Sequence, residues 1–265
     1  MTAALETIFD LLRDAHTERT TFPPTLLYNE GWLLRLVLSV TSRLGGCAPL
    51  ELVPGARWYS EARLYSPFAA VRRGDRVGET HTHADAVIGH VGIAPGTKTG
   101  LTLHEMATQF VAIEAKIFSG LAKRTTNAPD YDQAARYVAC MAHTITRAKV
   151  PLDRLSSLAF LVIVPESQLT DALRATLDKS ALRARVAARA ARMSEHRPGL
   201  RGWVGQHVEP MLERLSLVPV SWEEIIERIA AADATLGGHV REFYVRTLDL
   251  NGGPRVNPFN TLPAS

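Results

Sequence analysis

Residues 110–118 read FVAIEAKIF, an apolar run that carries a glutamate and a lysine two positions apart. A lone charge in a buried strand is costly, and it either finds a partner or shifts its pKa until it is neutral. On a strand, alternate side chains share a face. Glu114 and Lys116 therefore project with Phe110, Ala112 and Phe118, while Val111, Ile113, Ala115 and Ile117 project the other way. One face is wholly apolar, and the other holds an acid and an amine.

The segments around this strand alternate in type. Before it, RWYSEARLYSPF (57–68) alternates aromatic and polar residues, and THTHADAVI (80–88) places His81, His83 and Asp85 opposite Ala84, Ala86 and Ile88. Both read as strands. Residues 89–102, rich in Gly, Thr and Pro, read as a connection. After it, DYDQAARYVACMAHTITRA (130–148) has helical periodicity and SLAFLVIVPE (157–166) reads as a fully buried strand. Residues 168–194 predict one or two helices, and 215–232 a short strand followed by a helix. At the amino end, Leu5, Ile8, Phe9, Leu11 and Leu12 form a helical stripe that TFPP ends, and a second helix runs to Gly45 and Gly46. Strands that cluster and then alternate with helices predict an α/β fold, a mixed sheet flanked by helices, in one domain over 1–250. The expected core is 25–165, with a carboxy-terminal α/β elaboration over 166–250 and an extended or mobile tail over 251–265.

If the strands bearing Asp85 and Glu114 are neighbours, two carboxylates and an ammonium converge. Two carboxylates, a backbone carbonyl and waters suit magnesium. A lysine beside such an ion can orient the attacking water and stabilise charge on a phosphate. Asp85 followed by Glu114-Ala115-Lys116 resembles the D…(D/E)xK signature of the PD-(D/E)XK, or restriction-endonuclease-like, nuclease superfamily, and Gln133 and Tyr137 match the Q-x-x-x-Y element of its RecB-type branch. The similarity covers roughly residues 25–165, with His-Ala rather than proline before Asp85.

This resemblance implies a restriction-endonuclease-like mixed β-sheet flanked by helices and a magnesium-dependent nuclease, manganese being able to substitute, that hydrolyses phosphodiester bonds in DNA. Asp85, Glu114 and the Ala115 carbonyl would hold the metal and Lys116 would position the water. Gln133 and Tyr137 would support the site, and Glu30 in the first core helix would be an accessory ligand. Restriction, repair and antiviral defence are compatible settings, with pairing into a homodimer or a partner protein for targeting.

Other readings of the same residues stand beside this one. Glu114 and Lys116 could be an ion pair on an edge strand. Asp130 could cap a helix with Gln133 as its capping-box partner, Tyr137 could be a core aromatic with its hydroxyl at the surface, and Asn29 could be an N-cap with Glu30 complementing the helix dipole. His81 and His83 also fit the H-x-H start of a metal-dependent amidohydrolase barrel. A nuclease fold retained only for nucleic-acid binding or assembly is the non-enzymatic alternative. GIAPGTKTG (92–100) lacks the spacing of a phosphate-binding loop. Arg185, Arg189 and Arg192 flank the apolar stripe of Leu182, Val186, Ala190 and Met193, as a phosphate-contacting ridge or a solvated face.

Composition narrows the classes further. The net charge of +3 is too small to argue for a polyanion partner, and five of the 30 basic residues are lysine, which makes Lys116 more noticeable. Cys47 and Cys140 make neither a disulfide framework nor a zinc pattern, as expected of a reducing cytoplasm. The sequence predicts neither a secretory signal nor a membrane span.

Overall fold

The computed structural model describes residues 3–17, 23–70, 72, 75, 77–79, 82–122, 128 and 131–252. In chain order its elements are α1 (Ala3–His16), α2 (Glu30–Arg43), β1 (Arg57–Leu64), β2 (Thr82–Gly89), β3 (Val91–Ile93), β4 (Leu101–Leu103), β5 (Gln109–Ala115), α3 (Gln133–Ala148) and β6 (Ser157–Val164). They continue as α4 (Asp171–Thr176), α5 (Lys179–Met193), α6 (Leu200–Trp203), α7 (Glu209–Arg214), β7 (Ser216–Ser221), α8 (Trp222–Ala232) and α9 (Ala234–Gly252). A π-turn over Val204–Val208 joins α6 to α7.

Five strands form one mixed sheet in the order β1-β2-β5-β6-β7. β1 and β5 each run antiparallel to β2, and β6 and β7 extend the sheet parallel to β5. Two hydrogen-bonded neighbours explain why every residue of β5 is buried. The edge-strand reading of Glu114 and Lys116 is thereby overturned, because the edges are β1 and β7. An open five-stranded sheet is likewise not the eight-stranded barrel that the H-x-H reading requires.

Parallel strands need a crossover, and α3 supplies it between β5 and β6. Asp132 caps α3 by accepting from Ala135 N at 2.8 Å, and Lys149 ends it in the left-handed region at φ 55°. The helix buries Ala134, Ala135, Val138, Ala139 and Ala142, whose small side chains admit a close approach, and adds Tyr137, Met141 and Ile145 as larger wedges. Tyr137 stacks on Phe160 of β6 at 4.6 Å between ring centres. α5 packs outside α3 through the expected stripe of Leu182, Val186, Ala190 and Met193.

Three local expectations are corrected. The segment 89–102 is not a plain connection, since β3 and β4 pair there as a hairpin with Val91, Leu101 and Leu103 buried. Short strands among Gly, Thr and Pro leave little periodicity to detect. Gly89 is needed at its start, because a Cβ there would lie 2.2 Å from the Gln109 carbonyl oxygen. Phe118 does not share the strand face, for β5 ends at Ala115 and Phe118 stands in the segment beyond it. Asn251 and Gly252, expected in the tail, complete α9; the rest of the tail lies outside the described residues.

Contacts divide the chain into two units, 41–225 and 1–40 with 226–265. The first contains the whole sheet. In the second, Tyr28 packs against Phe243 at 4.7 Å, its carbonyl accepts from Asn251 Nδ2 at 2.8 Å, and the Arg246 guanidinium lies over its ring. Among the described residues, no helix is long and apolar enough to cross a membrane.

Of the three arginines of the ridge, Arg185 and Arg189 are turned inward, while Arg192 is exposed. Arg189 is buried and reaches Glu79 Oε1 at 3.4 Å, and it also donates to the Val77 carbonyl. Glu79, itself buried, takes further bonds from Ser66 Oγ at 2.8 Å and an ion pair with Arg136 of α3 at 3.4 Å. Arg185 bonds Asp132 and the Thr176 carbonyl, and Arg197 bonds the Pro67 and Ala69 carbonyls. Neither a phosphate-contacting ridge nor a solvated face describes Arg185 and Arg189. Leaving a buried carboxylate short of a partner is strongly destabilising. Arg189→Met is therefore expected to lower the free energy of unfolding in urea by about 3 kcal/mol, and an unchanged midpoint would remove this network from the stability of the fold.

Candidate active site

The register of β2 on β5, with Ala86 opposite Ile113, brings Asp85 opposite Glu114 one step further along. Asp85 Oδ2 accepts from Ala115 N at 2.8 Å, which pins the carboxylate to the end of β5. Within β2, His83 and Asp85 are the accessible residues, and Ala84, Ala86 and Ile88 are buried as the alternation requires. Lys116 continues β5 by donating its backbone N–H to the Ile163 carbonyl at 2.8 Å, so its side chain starts from a fixed position.

Three oxygens surround the Lys116 ammonium. It pairs with Glu114 Oε1, donates to the Ala115 carbonyl at 3.0 Å and lies 3.8 Å from Asp85 Oδ2. Glu114 is 1% exposed, yet both of its oxygens have donors. Gln133 Nε2 donates to Oε1 and Tyr137 Oη to Oε2. Burial pushes the Glu114 carboxyl up to about 7; the charge of Asp85 adds to this, while Lys116 and Tyr137 oppose it. Asp85 is raised by burial, against the pull of Lys116 and of the Ala115 N–H. The Tyr137 hydroxyl is held well above its ordinary value by burial and by the charge of Glu114, so it remains a donor.

The helix supplies these donors by its placement. Gln133 is the first residue of α3, directly after the Asp132 cap. The capping-box reading of Gln133 is thus overturned, since its amide turns to Glu114 instead; Asp130 lies outside the described residues. Gln133 Oε1 accepts from Ala122 N at 3.0 Å, which fixes the orientation of the amide. Tyr137 follows one turn later on the buried face; it is a core aromatic, but its hydroxyl is buried and donates to Glu114 where one reading put it at the surface.

The sheet unit therefore unites Asp85, Glu114, Ala115, Lys116, Gln133 and Tyr137. Glu30 is the first residue of α2 and belongs to the other unit. Beside it, Asn29 caps that helix, its Oδ1 accepting from Trp32 N at 3.0 Å. His81 lies outside the described residues, and His83 is exposed. Among the described residues, no three His, Cys, Asp or Glu side chains group as a metal site. Any cation here must share the two carboxylates with a backbone carbonyl. That donor set is hard oxygen throughout, suited to magnesium, which retains several waters, and unsuited to zinc. The ammonium already on the same three oxygens shows that they converge on a cation.

Two contributors were missed in the sequence. Buried Trp222 donates its indole N–H to the Lys116 carbonyl at 2.9 Å; a buried indole must find an acceptor, but sequence does not name it. Glu61, in β1 at φ 55°, adds negative potential at Asp85. No family model matches this chain, and neither a curated protein nor a solved structure matches it.

Glu114 links this site to stability. Between its ordinary value of 4.5 and about 7, the folded chain keeps a proton that the unfolded chain releases, so stability falls as pH rises through that window. In EDTA, Glu114→Gln is expected to gain on the wild type as pH rises. The difference in unfolding free energy should widen by about 2–3 kcal/mol between about pH 5 and about pH 8. Thermal and urea melts across that range measure it, and a constant difference would mean that the carboxyl titrates normally.

Proposed function

We propose that this chain is a magnesium-dependent nuclease that hydrolyses phosphodiester bonds, with DNA as its substrate. The observation that carries the proposal is the convergence of Asp85, Glu114 and the Ala115 carbonyl on one cationic group, Lys116. A stability role alone accounts poorly for it, because an apolar replacement of a buried ion pair is often neutral or stabilising. The succession β2, β5, α3 and β6 around these residues agrees with the PD-(D/E)XK pattern and supports a restriction-endonuclease-like fold as the finer reading of the mixed sheet.

Magnesium would be held by Asp85, Glu114 and the Ala115 carbonyl, and when bound it supplies a Lewis acid that offsets charge on the phosphate oxygens. Lys116 holds and orients the attacking water and stabilises the negative charge that grows on the phosphate as the new P–O bond forms and the old one breaks. Gln133 and Tyr137 keep both Glu114 oxygens hydrogen-bonded, favouring the ionised form that a cation needs. Asp85 is oriented by the Ala115 N–H. Their support is the residue set itself, since each acts through a contact described above. Action in the cytoplasm, where the free thiols of Cys47 and Cys140 would persist, and targeting by a second copy or a partner protein belong to the same proposal.

The test uses plasmid, linear DNA and RNA in parallel, with magnesium or manganese. Wild-type protein should degrade DNA and lose this activity in EDTA. Lys116→Ala should lower the rate by about 10²–10³-fold or more with an unchanged circular dichroism spectrum; unchanged cleavage would remove the mechanism. Gln133→Ala and Tyr137→Phe should each cost roughly 10–100-fold, and His83→Ala should cost little. Binding without cleavage by folded wild-type protein would replace the nuclease with a nucleic-acid-binding module.

A further inference from the structure

Phe118 stands two residues beyond Lys116 and is 51% exposed, although the seven residues of β5 before that lysine are all buried. It borders a cavity of about 660 Å³, with Leu121, Val164 and Leu173 as further apolar walls. This volume is in the range of small-ligand sites and large enough for a nucleoside. The cavity lies where the parallel strands β5 and β6 end, the side on which open α/β sheets bind ligands.

Its walls are tied directly to the catalytic groups. Ala122 exchanges two hydrogen bonds with Gln133, each 3.0 Å, and Gln133 in turn holds Glu114. On the opposite wall, Gln168 Nε2 donates to the Ile117 carbonyl at 2.9 Å, one residue from Lys116. Among the described residues, the charged lining is Asp132 and Arg185, and they pair with each other, while the guanidinium also bonds the Thr176 carbonyl at 2.7 Å. With these two charges compensated by each other, the described lining is poorly made for a phosphate. A chamber of mixed lining, with hydroxyl and amide groups from Ser167, Gln168, Thr170 and Thr176 beside its apolar walls and one exposed aromatic ring among its described residues, is instead suited to an aromatic, uncharged, hydrogen-bonding group attached to the phosphate.

We propose that this cavity receives the nucleobase next to the scissile phosphate, unpaired and stacked on Phe118, so that the preferred substrate is a single strand or a frayed strand end. The inference rests on the nuclease reading and adds the substrate class. A base held in an intact duplex cannot enter such a chamber without being unstacked and unpaired, which favours strands already open. Stacking on an aromatic ring tolerates any base, because every base offers a π-face, so the preference is for strandedness and not for sequence.

The experiment compares Phe118→Ala and Phe118→Trp with the parent chain, each in the Lys116→Ala background so that the probe stays intact. The probe is a short fluorescein-labelled single-stranded oligonucleotide with magnesium, with a blunt duplex of the same sequence as control. Binding followed by anisotropy should weaken about tenfold for the single strand in Phe118→Ala, be restored in Phe118→Trp, and change little for the duplex. In otherwise wild-type protein, Phe118→Ala should raise KM for single-strand cleavage and leave duplex cleavage near its starting rate.

Equal single-strand affinity with and without the ring overturns the inference, while continued cleavage leaves the nuclease reading standing. Binding that depends on Phe118 without cleavage of any substrate by wild type sustains the cavity assignment and removes the nuclease. Wild-type protein that neither binds nor cleaves overturns both.

Discussion

The arrangement of the sheet unit depends on how one ionisable carboxyl is accommodated inside it. Glu114 lies in the central strand with almost no contact with water, and its burial raises its proton affinity by an amount comparable to a sizeable part of a domain's net stability. Three donors from two directions make that tolerable. Lys116 comes from the same strand, and Gln133 and Tyr137 come from the crossover helix. The requirement reaches outward, because α3 must present its first residue and the one a turn later to the same acid. The Asp132 cap, the Ala122 clasp on Gln133 and the Tyr137 stack on Phe160 all fix that presentation.

A second layer of charge holds the helix that holds the site. Arg185 of α5 bonds the capping Asp132, and Arg189 of α5 and Arg136 of α3 meet on Glu79. Arginine suits this use, since its planar fork makes several directed bonds and keeps its charge when buried. The abundance of arginine over lysine therefore has a structural side here. Arg185, Arg189 and Arg197 act as internal ties between helices and loops, and three of the side chains with the strongest claim to bind an external anion are engaged inside the unit.

The strands and the crossover helix were legible because their periodicities are strong and bounded by breakers. The pairing of Asp85 with Glu114 was legible because an acid and an amine in an apolar strand demand partners, and the preceding strand offered an accessible acid in phase. What stayed hidden depends on long-range geometry. The inward turn of Arg189 could not be read because periodicity places it on a flank without saying that Glu79 lies there. The strand face assigned to Phe118 was misread by extending the alternation past Ala115, where the strand stops. The role of Gln133 was obscured by a local capping pattern, and the true cap, Asp132, releases its side chain to reach across to β5. The hairpin over β3 and β4 was lost because strands of three residues leave almost no periodic signal.

Two of the buried acids of the sheet unit, Glu79 and Glu114, separate structural charge from candidate functional charge on physical grounds. Glu79 is met by Ser66 and two arginines beneath the aromatic rings of Phe68 and Tyr131, an enclosed arrangement whose purpose is complete once its members are paired. Glu114 is met equally well but opens outward, through Lys116 to a partly exposed Asp85. If stability alone governed this position, apolar side chains on β5 would satisfy it at lower cost, as the rest of that strand illustrates. Under the proposed function, retaining an acid whose proton affinity is raised, beside a second raised acid and a lysine that can serve either, trades stability for a place where a cation and an anion can be held together. That trade is the physical content of assigning chemistry to this end of the sheet.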